Sequence, residues 1–324
     1  MKRRSALTCI AASLAAPAFA QGAEWPMAKP ITYVVPFTPG GSTDVVGRAV
    51  AEKLAASLHQ SVVVDNKPGQ GGAIGAAYVA KAPADGYTLF GGTISTHAIN
   101  ASLYKNLPYD PVKDFEPVCL VAFLPNVLLV DPNAGVNSVQ DLIALLKKDP
   151  KRRTFASSGN GTSTHLTGEL FADLIGVPLT HVPYKGTPPA MVDVAAGQVT
   201  FMFDQMTAAL PLLQAGKLKL LAVTTAKRMA LSPSTPTLIE SGVAGFDVSS
   251  WQAIYAPKGT PKPVVQRLAQ EIQKALKLPE VQDKLGRQMG MEIVAGGPDE
   301  LADLMAREIP RWAALVKKSG ASAN

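Results

Sequence analysis

Pro36-Phe37-Thr38-Pro39-Gly40-Gly41-Ser42-Thr43-Asp44 decides how this chain is built. The run before it, Ile31-Thr32-Tyr33-Val34-Val35, is apolar and β-rich, which suits a strand. After it Val46, Val50, Leu54 and Leu58 recur every fourth residue, the spacing of one helix face. The stretch is therefore a tight strand-to-helix turn, stiffened by two prolines and opened by two glycines that allow positive φ and close backbone approach. Ser42, Thr43 or Asp44 is available to cap the helix. Unpaired N–H groups at the positive end of a helix suit an anion. Many α/β turns have this form without a ligand, so the rest of the chain must decide its meaning.

Residues 1–20 have the form of an export signal. Lys2, Arg3 and Arg4 make the basic start, Ala6 to Leu14 the apolar middle, and Ala18-Phe19-Ala20 a small-residue cleavage site, with the cut before Gln21. The apolar middle is too short to span a bilayer, and no later run is long enough. Removing the signal takes three of the 31 Lys and Arg and none of the 25 acidic residues, leaving 28 against 25 and a net charge of +3. That is too mild to argue for nucleic acid or an anionic membrane. Of the two cysteines only Cys119 remains, which excludes an internal disulfide and a thiolate metal cluster. The 304 residues that follow the cut suffice for two domains.

Strand-like and helix-like segments alternate almost throughout, the pattern of βαβ units around a parallel sheet. Val62-Val63-Val64 precedes a Gly-rich loop and a small-residue helix, and Tyr87 to Gly91 is a strand followed by a polar turn. Val118 to Val130 is too long for one ordinary strand and predicts a passage between two domains. Leu218 to Thr224 is the other run of crossing type, expected as the return, and Ser249 to Tyr255 rejoins the first sheet. The expected division is residues 21–124 and 225–324 in one discontinuous α/β domain and residues 125–224 in a second. Two crossings describe a hinged, two-lobed α/β shell, with ligands at the carboxyl ends of strands in an interdomain cleft.

A second candidate turn is Ser157-Ser158-Gly159-Asn160-Gly161-Thr162-Ser163-Thr164-His165, again a strand end, a hydroxyl-rich glycine loop and a helix start. Two such turns in different lobes favour a shared anion site built on N–H groups and neutral hydroxyls rather than on Arg or Lys. Thr93, Ser95 and Thr96 follow a strand end and either line the cleft or form a plain turn. Asp204 ends a strand; it either caps the next helix or accepts a hydrogen bond from a ligand. Gly69-Gln70-Gly71-Gly72-Ala73-Ile74-Gly75 nearly spells a dinucleotide fingerprint, but it follows the second strand, Ile74 replaces the last glycine, and no acidic partner follows. No cofactor is expected. None of the four histidines pairs with a carboxylate or another histidine at ligand spacing, so no metal is expected. Ser158 with His165 is the one arrangement that suggests a hydrolase, against which a helix-start histidine is the plainer reading.

The chain resembles the Bug-type extracytoplasmic solute receptors, the binding components of tripartite tricarboxylate transporters. The resemblance is carried by Ile31 to Asp44, Val63-Val-Asp-Asn-Lys-Pro-Gly-Gln-Gly-Gly72, Ala84-Asp-Gly-Tyr-Thr-Leu89, Ser157-Ser-Gly-Asn-Gly161 with His165-Leu166 and Glu169-Leu170, and Val182-Pro-Tyr-Lys-Gly186. It implies a two-lobed periplasmic binding protein fold of type II that closes on its ligand and is not an enzyme. It implies binding of a carboxylate by the first turn (Phe37, Pro39, Gly40, Gly41, Ser42, Thr43, Asp44) and by the second (Ser158, Gly159, Asn160, Gly161, Thr162, Ser163), largely through backbone groups and water. Asp204 matches a position beside the ligand that helps tell amino- or hydroxyl-bearing ligands from others. The implied partners are a small carboxylate and membrane permease subunits, with a monomer in the periplasm; a sensing role is the alternative.

Overall fold

A computed structural model describes residues 25–319 and 321–322; the expected export signal, residues 1–20, lies outside them. The apolar runs become strands β1 (Ile31–Val35), β2 (Val62–Asn66), β3 (Thr88–Thr93), β4 (Phe115–Val130), β5 (Thr154–Ser157), β6 (Thr180–Pro183), β7 (Phe201–Gln205), β8 (Lys219–Val223), β9 (Ser249–Pro257) and β10 (Glu292–Gly296). Their order is β2-β1-β3-β9-β4-β7-β5-β6, with β8 and β10 also paired to β4. Strand β4 is 16 residues long. Its first part, Phe115–Pro125, pairs with β9, and Asn126–Val130 pairs with β7. The two parts of this one long strand thus pair with different strands.

The return passage lies later than expected. Strand β8 pairs with Val127–Val130 of β4 and stays in the second lobe. Residues 225–248 remain there too: Leu238 N donates to Val223 O at 3.0 Å, and Phe246 stacks on Phe203 with centroids 5.7 Å apart. The chain re-enters the first sheet only at Ser249. A strand buried on both faces is as apolar as one that changes lobes, which is why β8 looked like a crossing.

Helices cover both faces of the first sheet. On one side Val46, Val50 and Leu54 of helix Ser42–Leu58 meet Leu268 and Ile272 of helix Lys262–Leu276 over Ile31, Tyr33 and Val35. On the other, Leu301, Leu304, Met305 and Trp312 of helix Pro298–Ser319 pack with Val34, Phe90 and Ile94. Burying side chains of this size contributes roughly 1.5–3 kcal/mol each. The parallel strands β1, β3, β5 and β7 all end toward the seam between the lobes, where the turns after them form a common cleft.

Candidate ligand site in the interlobe cleft

The first turn is built by its own acidic residue. Gly40 has φ +85°, which a side-chain-bearing residue adopts only under strain. Asp44 Oδ2 accepts from Gly40 N at 3.0 Å and Arg48 Nε at 2.9 Å, and Oδ1 accepts from Arg48 Nη2 at 3.0 Å and Asn66 Nδ2 at 2.9 Å. Burial pushes the Asp44 pKa up, but the hydrogen bonds from Arg48, Gly40 and Asn66 and the guanidinium charge outweigh it and hold the carboxyl below the usual range. Asp44 is therefore an ionised clamp that shapes the turn. The helix it begins has Gly41 as N-cap with no side-chain hydrogen bond on its first amides. Those amides sit at the positive end of a 17-residue helix.

The second turn is organised differently. Ser158 N donates to Thr164 Oγ1 (3.0 Å), Gly159 N to Ser157 Oγ (3.1 Å), Gly161 N to His165 Nδ1 (3.2 Å) and Thr162 N to Gly159 O (3.2 Å). Ser163 N donates across the cleft to Ser95 Oγ at 3.1 Å. Its backbone donors are thus largely satisfied within the protein, so this lobe offers hydroxyls more than amides.

Eight of the sixteen expected residues line one cavity: Phe37, Gly41, Ser42, Thr43, Thr93, Ser95, Ser158 and Ser163. Gly159 and Asn160 line an adjoining hollow with Tyr184 and Lys185, and Phe37 and Ser158 border both. Pro39 and Gly40 are exposed beside the cleft. Gly161 packs against Leu103 and Asn100, and Thr162 caps the next helix by accepting from His165 N. Four cavity residues escaped the sequence reading: Thr187, Gln205, Ser250 and Gln252.

Asp204 is fully buried and holds two of these in place. Its Oδ2 accepts from Thr187 Oγ1 at 2.8 Å and its Oδ1 from Gln205 N at 2.7 Å. Burial pushes its pKa up to about 7, against the opposing pull of these two bonds. Its contact with the cavity thus runs through Thr187 and Gln205. The lobes touch here: Ser42 Oγ donates to Gln205 Oε1 at 3.0 Å, and Tyr104 OH reaches Asn160 O at 3.3 Å.

The histidines differ from expectation. His165 Nε2 lies 3.4 Å from Glu169 Oε1, and its ring stacks on His181 at 3.8 Å. The His181 stack was invisible because His181 sits on β6, brought alongside by the fold, whereas Glu169 lies four residues on along the same helix and its spacing was readable. Ser158 Oγ bonds Thr164 Oγ1 (3.0 Å), while His165 Nδ1 accepts from Gly161 N, so the suggested Ser158–His165 pair does not form. No lysine or arginine lines the cavity, which presents hydroxyls, amides and one uncapped helix start. Such a surface can hold an anion by dipoles and hydrogen bonds.

A profile of the family described as "Tripartite tricarboxylate transporter family receptor" matches residues 46–321. Protein BugT of Bordetella pertussis is 39% identical over 295 residues, covering 91% of this chain and 90% of BugT. Among solved structures, R. palustris Rpa4515 with adipate is 41% identical with TM-score 0.89, covering 92% of this chain and 99% of that one. MatC (Rpa3494) from Rhodopseudomonas palustris with bound malate is 34% identical with TM-score 0.86, covering 90% and 100%.

Proposed function

This chain belongs to the tripartite tricarboxylate transporter receptor family, whose members are periplasmic solute receptors, and from that premise we propose that it closes around one small carboxylate in the cavity between its lobes. The observation that carries this reading is the uncapped start of helix Ser42–Leu58 facing Ser163, Thr187 and Gln205 of the other lobe. The carboxylate sits at the amides of Ser42 and Thr43, and hydroxyls from both lobes complete its shell. Hydrogen bonds to a charged acceptor contribute roughly 1.5–3 kcal/mol each, so four or five offset desolvation and leave the about 8 kcal/mol of micromolar binding. Structures of relatives with adipate and malate support a carboxylate as the ligand class.

The lobes part at Pro125 and again between Val248 and Ser249, and ligand contacts to both sides bias them toward closure. The protein is exported with residues 1–20 removed, works in the periplasm as a monomer without cofactor or turnover, and delivers its ligand to membrane permease subunits. Lys185 at the adjoining hollow adds positive charge on the approach.

A thermal-shift screen of the protein lacking residues 1–20 against a broad carboxylate panel tests the proposal. At least one carboxylate should raise the midpoint by several degrees and be recovered unchanged by mass spectrometry. A panel in which no carboxylate stabilises the protein while a neutral ligand does would refute it.

A further inference from the structure

The cavity contains a chain of hydrogen bonds whose direction is fixed from one end. Thr167 Oγ1 lies 2.6 Å from Ser163 O, and a carbonyl only accepts, so the hydroxyl donates. With its proton committed, Thr167 Oγ1 accepts from Asn126 Nδ2 at 3.1 Å. That turns Asn126 Oδ1 toward Gln205 Nε2, at 3.0 Å. Gln205 Oε1 then accepts from Ser42 Oγ at 3.0 Å, where the chain crosses to the first lobe. Ser42, its proton also committed, accepts from Gln252 Nε2 at 3.3 Å, and the same amide reaches Thr43 Oγ1 at 3.2 Å.

Gln252 Oε1 is what the chain leaves over. It is buried with no hydrogen-bond partner, on a side chain that is 3% exposed and lines the cavity. Gln252 on β9 is the register partner of Thr93 on β3, so the two residues share a face of the sheet. Thr93 Oγ1 is likewise buried without a partner, and Thr93 also lines the cavity. A buried polar atom without a partner is costly, so two neighbours of this kind mark a place for something that satisfies both.

We propose that Gln252 and Thr93 form a subsite for a hydroxyl group of the ligand and select a hydroxycarboxylate; this rests on the carboxylate-receptor reading above. The chemistry of the pair is specific. The amide oxygen of Gln252 needs a donor, and the Thr93 hydroxyl needs an acceptor for its proton. An alcohol is both. A second carboxylate has no proton for Gln252, and an ammonium donates to both oxygens but leaves the Thr93 proton without an acceptor. A carbon chain without the hydroxyl leaves the pair to a trapped water, which costs ordering entropy that the ligand's own hydroxyl does not.

The test is calorimetric titration with carboxylate pairs that differ by one hydroxyl: malate and succinate, lactate and propionate, citrate and tricarballylate, 4-hydroxybenzoate and benzoate. In at least one pair the wild type should bind the hydroxylated member about ten- to a hundredfold more tightly. Gln252→Leu should bring that ratio to within about threefold of one, chiefly by weakening the hydroxylated member. Thr93→Val, nearly isosteric, should reduce the same ratio and leaves the amide chain intact should Gln252→Leu fold poorly. Equal affinity within every pair that binds the wild type, or a preference that survives both substitutions, would overturn the subsite while leaving the carboxylate reading in place. If no member of any pair binds, the subsite falls, while the carboxylate reading is decided separately by the broad panel above.

Discussion

Replacing Gly186 with alanine should hold the lobes apart without unfolding either. Gly186 precedes helix Thr187–Ala195 in the second lobe and is extended, with φ 162° and ψ 177°, so alanine fits its backbone. A Cβ there would lie 2.1 Å from Thr38 Oγ1, 3.1 Å from Thr38 Cβ and 3.2 Å from Thr38 N, and Thr38 belongs to the first lobe's ligand turn. Rotating Thr38 relieves the contact with its hydroxyl but not those with its Cβ and backbone nitrogen. Overpacking of this degree costs about 1–3 kcal/mol. The cost falls only on the closed arrangement, since with the lobes parted Thr38 no longer faces Gly186. Apparent affinity is reduced by the fraction of closable protein, so binding should weaken by about five- to 150-fold. Calorimetry with a bound carboxylate and ligand-free denaturant melts read the two effects separately. Affinity should drop while ligand-free stability stays within about 0.5 kcal/mol, and Thr38→Gly in the same chain should restore much of the binding. Unchanged affinity in Gly186→Ala would refute the reasoning, because it would mean that binding does not bring these two residues together.

Asp204, with its pKa pushed up to about 7 by burial, is favoured in its neutral form on folding; stability from this group is complete below about pH 4 and lost as pH rises through 7. Asp204→Asn should flatten the fall in stability between pH 5 and 8, of the order of 2–3 kcal/mol, in urea melts across that range. His97 has the opposite sign: burial lowers its pKa to about 3, so its contribution is complete above 6.5 and should cost about 2 kcal/mol by pH 5, a loss absent in His97→Gln. Asp44→Ala should cost about 1–3 kcal/mol in denaturant melts and weaken carboxylate binding at least tenfold, because Gly40 N and Asn66 Nδ2 lose their shared acceptor.

Much of the architecture was legible because strand and helix periods differ. The run Ile31–Val35 and the four-residue spacing from Val46 to Leu58 could mean little else, and the mostly apolar run from Val118 to Val130 is longer than one ordinary strand. The cavity was legible where parallel strands end, which pointed to Phe37, Gly41, Ser42, Thr43, Thr93, Ser95, Ser158 and Ser163. It failed at Ser250 and Gln252 because β9 runs antiparallel and meets the cleft with its amino end. Asp204 drew attention by its charge, yet successive strand residues face opposite ways, and it is Gln205 that lines the cavity. The second turn was misjudged for another reason. Its amides are satisfied by Thr164, Ser157, His165 and Ser95 side chains, whose positions depend on tertiary contacts that spacing does not encode.

The most direct measurement is an amide-resolved NMR titration of the ¹⁵N-labelled protein with a carboxylate that binds it. A carboxylate seated at the start of helix Ser42–Leu58 should move the Ser42 and Thr43 amide protons strongly downfield, saturating with the affinity found by calorimetry. Saturable binding that leaves both amides unmoved and shifts a surface elsewhere would contradict the site.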